Sequence, residues 1–149
     1  MTVVGSLDAI AVKAETMTGM KRAYSATGGG VSSAIRPIPR GIDDGPVGVV
    51  WIGSAEVEGG NSEFLTIHTV LDIWVPAVDS GYAYKTLTAF CDRVRTAFRS
   101  DMNLGGQCTR CQFTGWQEPE NEEVNGRQFL VLPIQLEVLI VRQADDATA

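Results

Sequence analysis

Hydrophobic positions along this chain follow two periods, and the switches between them divide it into elements. Leu7, Ile10, Ala14, Met17, Met20 (or Lys21) and Tyr24 recur three or four residues apart, which predicts an amphipathic helix from Ser6 to Tyr24. Ser6 suits its N-cap, Asp8 its first turn, and Lys21 and Arg22 its last turn. Tyr84, Leu87, Cys91, Val94 and Phe98 predict a second helix, Ser80 to Arg99, with Phe90 and Ala97 widening the stripe. Between the helices the period falls to two. Leu65, Ile67, Leu71, Ile73 and Val75 share one face of a strand from Glu63 to Val75, and Thr66, His68, Val70, Asp72 and Trp74 share the other. A shorter strand, Val47 to Ile52, precedes it and ends at Gly53.

After the second helix, Leu104-Gly105-Gly106 is a stop signal and Gln107 to Trp116 reads as a strand. Glu118, Glu120, Glu122 and Glu123 make an acidic, turn-rich loop, and Asn125-Gly126 is a tight-hairpin dipeptide. Arg127 to Arg142 is the last long strand, with Leu130, Leu132, Ile134, Leu136, Val138 and Ile140 on one face. Pro133 lacks an N–H and predicts an edge stretch or a bulge there. The predicted fold is α+β: a mostly antiparallel sheet of about four strands, two helices packed on one face, and a long Gly/Pro-rich arm from Thr27 to Pro46. Residues 143–149 read as a frayed tail.

The 149 residues fit a single domain, and 44% hydrophobic with 20% charged residues is ordinary for a globular one. No apolar run approaches the ~18 residues of a membrane span, and Met1 to Gly5 shows no secretory pattern, which predicts folding in the cytoplasm without a membrane role. The net charge of −6, from 12 basic and 18 acidic residues, argues against gripping nucleic acid, though not against DNA sliding past. Three cysteines without an export signal argue against a disulfide framework.

Several motifs invite a chemical reading. Cys108-Thr109-Arg110-Cys111 is a CxxC, but inside a strand its thiols are expected on opposite faces, and a zinc site would need Cys91 and His68 to join them. His68, the single histidine, has only Asp72 nearby on its strand face. The glycine-rich stretch from Thr27 to Ser33 follows a helix rather than a strand and lacks the Lys-Ser/Thr pair of a phosphate loop. The acidic loop matches no calcium spacing. These residues therefore predict no catalytic site, no metal and no cofactor.

The second sheet face carries more apolar side chains than a wet face needs: Val70, Trp74, Phe129, Val131, Leu139 and Val141. The arm, a partner, or both must cover it. Arg36-Pro37 and Ile38-Pro39 favour an extended piece that could lie along a neighbour's sheet edge. Ile35 and Ile38 would anchor it, and Arg36 and Arg40 would pair with a neighbour's Glu118 to Glu123 hairpin. The alternative is an arm folded onto its own subunit.

This order of elements resembles the tail terminator (tail completion) proteins of long-tailed bacteriophages. The features that carry the resemblance are the N-terminal helix followed by a Gly/Pro-rich arm, and the strand Phe64 to Val75 ending just before the helix Tyr82 to Phe98. Leu104-Gly105-Gly106 leading into a strand, and the Val124-Asn125-Gly126-Arg127-Gln128-Phe129 hairpin feeding the strand Leu130 to Val141, complete it. The resemblance implies a protein without enzymatic activity that forms a hexameric ring in the virion, at the head–tail junction, assembled in the host cytoplasm. Its implied partners are copies of itself, the tail tube protein and a head-side connector protein, with DNA passing through the ring without specific binding. Two other classes stand beside it: a different neck or head–tail connector subunit, and a small cytosolic redox or metal protein built on the CxxC.

Overall fold

A computed structural model of the chain describes residues 1–26, 36–60 and 62–143. The helices are α1 (Val3–Glu15) and α2 (Ser80–Arg99). The strands are β1 (Arg22–Ser25), β2 (Val47–Gly59), β3 (Ser62–Pro76), β4 (Arg110–Trp116), β5 (Glu120–Val124) and β6 (Arg127–Gln143). Single 3-10 turns lie at Ile42–Asp44 and Leu104–Gly106. The architecture is α+β, with one mixed sheet of six strands in the order β1-β2-β3-β6-β4 and β5 on the same flank of β6 as β4.

The sheet is larger than the four antiparallel strands expected, because β1 and β5 join it. β1 runs parallel to β2, pairing Arg22 with Val47 through Ser25 with Val50. Adjacent parallel strands need a long crossover rather than a tight turn. The Gly/Pro-rich segment between Ala26 and Pro46 supplies that crossover, which accounts for its length. Residues 27–35, which include the glycine run and Ile35, and residues 144–149 lie outside the described part of the chain.

The first helix is shorter than its periodicity suggests and starts earlier. Thr2, not Ser6, is its N-cap, with Oγ1 accepting from the Gly5 N–H at 2.9 Å. Ser6 is buried one turn inside, and its hydroxyl donates to the Thr2 and Gln107 carbonyls at 2.9 and 3.0 Å. The helix stops at Glu15, and Gly19 adopts a φ of +89°, which turns the chain into β1. Lys21, Arg22 and Tyr24 thus lie outside the helix, Arg22 and Tyr24 in the strand that follows.

The second helix has the bounds its sequence predicts, and the Asp79 carboxylate caps it by accepting from the Tyr82 N–H at 3.1 Å. Both helices pack on the same sheet face. Ile10 and Ala14 of α1 and Leu87, Phe90, Val94 and Phe98 of α2 are buried there with Ile67, Leu71 and Ile73 of β3 and the alternate residues Leu130 to Ile140 of β6. The two long strands present the faces that their alternation predicts.

The remaining strands depart from expectation at their ends. β2 passes through a register shift between Ile52 and Ser54 and continues to Gly59, rather than stopping at Gly53. The acidic loop is a strand over Glu120–Val124, joined to β6 through Asn125 and Gly126 at φ of 52° and 79°, the positive values a type I′ turn requires. Pro133 sits on a central strand. Opposite Asp72 on one side, it falls on the other side where β6 changes partner from β5 to β4, and its carbonyl accepts from the Gln117 N–H at 3.0 Å. The missing N–H is therefore placed in the gap between two partner strands.

The cysteine expectation needs correction. Cys108 precedes β4 instead of lying within it, so strand alternation does not separate it from Cys111. Both side chains are buried in the helix-side core, together with Cys91.

Candidate functional site

The most organised polar cluster lies on the other sheet face, where residues 36–44 cross it. Val49, Trp51, Asp72, Trp74, Phe129 and Val131 point to this face from β2, β3 and β6, and Glu120 and Glu122 point to it from β5. Ile42 of the arm closes over Val49, Trp74, Phe129 and Val131 to make a second, smaller apolar cluster, with Tyr24, Ala26 and Val124 packed around it. Trp74 and Phe129 meet edge to face at 6.0 Å between ring centroids.

Beside this cluster Arg36 is held by three carboxylates. Its Nε stands 2.9 Å from Asp72 Oδ2, its Nη2 2.8 Å from Glu120 Oε2, and its Nη1 2.8 Å from Glu122 Oε1. Asp72 Oδ2 also accepts from the Trp51 indole at 2.8 Å. Asp72 is fully buried, and burial pushes its pKa up to about 6, although Arg36 and the Trp51 N–H pull it down. Burial pulls the Arg36 pKa down, but Asp72, Glu120 and Glu122 together outweigh it, so Arg36 is held above its ordinary value. The Nε–Asp72 contact lacks hydrogen-bond alignment, and Asp72 Oδ1 and Trp74 Nε1 are buried without a hydrogen-bond partner among the described residues. The guanidinium is engaged by carboxylates on three sides, one of them fully buried. The arrangement fastens the arm to the sheet.

Three further contacts fix the arm. The Arg40 guanidinium lies over the Tyr24 ring, 5.4 Å from its centroid, and the Arg40 amide donates to the Tyr24 hydroxyl. Asp43 pairs with Arg127 at the start of β6.

The residues singled out from sequence thus separate into groups. Arg36 pairs with the acidic hairpin of its own chain, at Glu120 and Glu122, while Glu118 and Glu123 are exposed and outside the cluster. Trp74, Phe129 and Val131 are covered by their own chain. Ile38 is exposed, and Ile35 is outside the described residues. Val70, opposite Trp51, and Leu139, opposite Thr66, are half-buried on the same face and are not members of the apolar cluster under Ile42. Asp72, Trp51, Ile42 and Val49 were not foreseen as members. The available signal was a lone carboxylate set between Leu71 and Ile73 in an apolar strand.

The cysteines and the histidine are placed as follows among the described residues. Burial pushes the Cys108 thiol up to about 11 and Cys111 up to about 12, away from the thiolate range of reactive cysteines. His68 is partly exposed, 3.6 Å from Glu56, and Asp72 is turned into the Arg36 cluster. Among the described residues no group of three or more His, Cys, Asp or Glu side chains is placed to hold a metal ion. No described helix is long and apolar enough to cross a membrane.

The most exposed regular structure is the far half of β2. From Ile52 to Gly59 every residue is exposed, including Ile52 and Val57, although β3 pairs with it throughout. No protein-family model matches this chain, and no curated protein matches it significantly.

Proposed function

We propose that this chain is a structural subunit of a long-tailed phage particle, a tail terminator that assembles into a homohexameric ring. The ring caps the tail tube, stops its growth and joins the tail to the head-side connector, leaving a channel for DNA. It carries out no reaction and uses no cofactor. The observation that carries the assembly reading is the run Ile52–Gly59, eight strand residues exposed on both faces. An edge this long, with no partner strand beyond Val50 among the described residues, is a liability in a monomer and an asset in a subunit, because its backbone groups invite another strand. The tail assignment itself rests on the order of helix, arm, paired long strands, helix and hairpin-fed last strand. An acidic balance of −6 suits a wall past which DNA slides without being gripped.

Native mass spectrometry across a concentration series tests this reading. Six copies of the 16.0 kDa chain are expected, with closed rings in negative-stain images. A chain that stays monomeric at high concentration, and alongside tail tubes, overturns it. Twelve copies would favour a connector subunit instead.

A further inference from the structure

The two ends of the sheet differ in chemistry in a complementary way. One is the exposed stretch of β2 beyond Val47 to Val50, the residues that β1 covers, where no other described strand pairs with its outer edge. The other is β4, the last strand on the opposite side of the sheet order. Three antiparallel pairings separate β2 from β4, so the two strands run in opposite directions. Copies of the chain set side by side in the same orientation would therefore bring β4 of one against β2 of the next as an antiparallel pair.

The register places the right residues at the same height. Following partners across the sheet, Glu56 is opposite Thr66, Thr66 opposite Leu139, and Leu139 opposite Arg110. One row thus begins with an acid at one edge and ends with a base at the other. Their side chains are 71% and 47% exposed, and their present ion pairs are long: 3.6 Å from Glu56 to His68 and 3.9 Å from Arg110 to Glu137. In the same way Ile52, Thr69, Leu136 and Phe113 form one row, which begins and ends with apolar residues on the helix side. Two rows lie between them, Ser54, His68, Glu137 and Gln112 on the first face and Ala55, Ile67, Val138 and Cys111 on the helix side. Exposed Met102 sits on this edge and its carbonyl already accepts from the outward Cys111 N–H at 2.5 Å, so the contact there is made by side chains rather than by a full backbone ladder.

The geometry points to a head-to-tail interface between copies of this chain, in which residues 52–58 of β2 lie along β4 of the neighbour with Glu56 facing Arg110. Acid meets base on one side of the joined sheet and apolar residues meet on the other. The contact is heterologous, so repetition generates a closed ring or an open filament rather than a twofold dimer. This assignment rests on the assembly reading above and names the surface it uses.

Charge reversal at the two edges tests it, with both positions exposed and outside either core. Glu56→Arg and Arg110→Glu are each expected to raise the concentration at which rings dissociate by at least about tenfold. The double variant E56R/R110E restores opposite charges at every junction and should return within about threefold of the parent. Hydrogen exchange should show amides of residues 52–58 slowing on assembly. Rings that form normally in both single variants, or a double variant as weak as the singles, overturn the edge assignment while leaving assembly intact. A parent chain that forms no oligomer overturns both.

Discussion

The two faces of the sheet are buried by different means. On the helix side, aliphatic and aromatic residues from α1, α2, β3 and β6 fill one continuous core, and the three thiols in or beside it are pushed toward their neutral form. On the arm side, five buried apolar residues share the space with a buried carboxylate and a guanidinium. The first face is held by area removed from water, which is insensitive to pH and to direction. The second is held by a few directional contacts whose strength depends on every partner being present. A regular helix can bury a whole stripe, whereas a Gly/Pro-rich segment offers few apolar side chains and needs a charged fastening.

Three substitutions and a pH comparison would break or sharpen this contrast. The largest effect is expected from Phe90→Ala, at the centre of the helix-side core, with a loss of about 3–5 kcal/mol in urea unfolding. Native tryptophan emission should persist below the transition, since Trp51 and Trp74 lie on the other face. Arg36→Ala comes next, at roughly 2–4 kcal/mol, because Asp72 is left buried without its cation. Here the emission of the still-folded protein should shift to the red as the arm lifts from Trp51 and Trp74. If Arg36→Met with Asp72→Leu is no more stable than Arg36→Ala, the loss belongs to packing rather than to the stranded charge.

The pH comparison isolates Asp72. Its pKa is about 6 in the folded chain against an ordinary 3.8, so between those values the folded state holds the proton that the unfolded state has released. Stability from this group is therefore highest below about pH 4, falls as pH rises to about 6, and is level above that. The drop amounts to up to roughly 3 kcal/mol. Asp72→Asn should abolish it, so that the variant gains on the parent between pH 4 and pH 7 in urea midpoints. An unchanged difference at the two pH values would show that Asp72 is already ionised throughout. The smallest effect is expected from Arg127→Ala, about 0–1 kcal/mol by the same assay, because Asp43 and Arg127 are both exposed.

The helix side was largely legible. α2, β3 and β6 each show an unbroken period over many residues, and the faces they predict are the ones buried. α1 was misjudged because Met17, Met20 and Tyr24 continue a helical spacing past Gly19 by coincidence, while the backbone turns there. β1 is four residues long, too short for a period to show, and it is a strand only because β2 pairs with it. β5 was hidden by its charges. Glu120 and Glu122 stand in a strand because Arg36, more than eighty residues earlier, neutralises the face they share. Arg36 was expected to meet this acidic hairpin on a neighbour, but nothing local showed that the hairpin is a strand or that the pairing closes within one chain. The arm's extended reach was inferred from Arg36-Pro37 and Ile38-Pro39, but which subunit it would lie on was not written in those residues.

The position of β6 bears on how the chain is made. It is the last of the described strands to emerge from the ribosome, yet it stands in the middle of the sheet, with β3 along one side and β4 and β5 along the other. Until it is synthesised, β3 and β4 have no common partner, and both clusters lack members: Leu130 to Ile140 on one face, Phe129 and Val131 on the other. A nascent chain can form its helices and the β2–β3 hairpin, but the sheet closes in one late step in which both faces are sealed together. Order of synthesis and order in space are opposed here, so the closing contacts are non-local and β3 lacks its second neighbour until the final strand arrives.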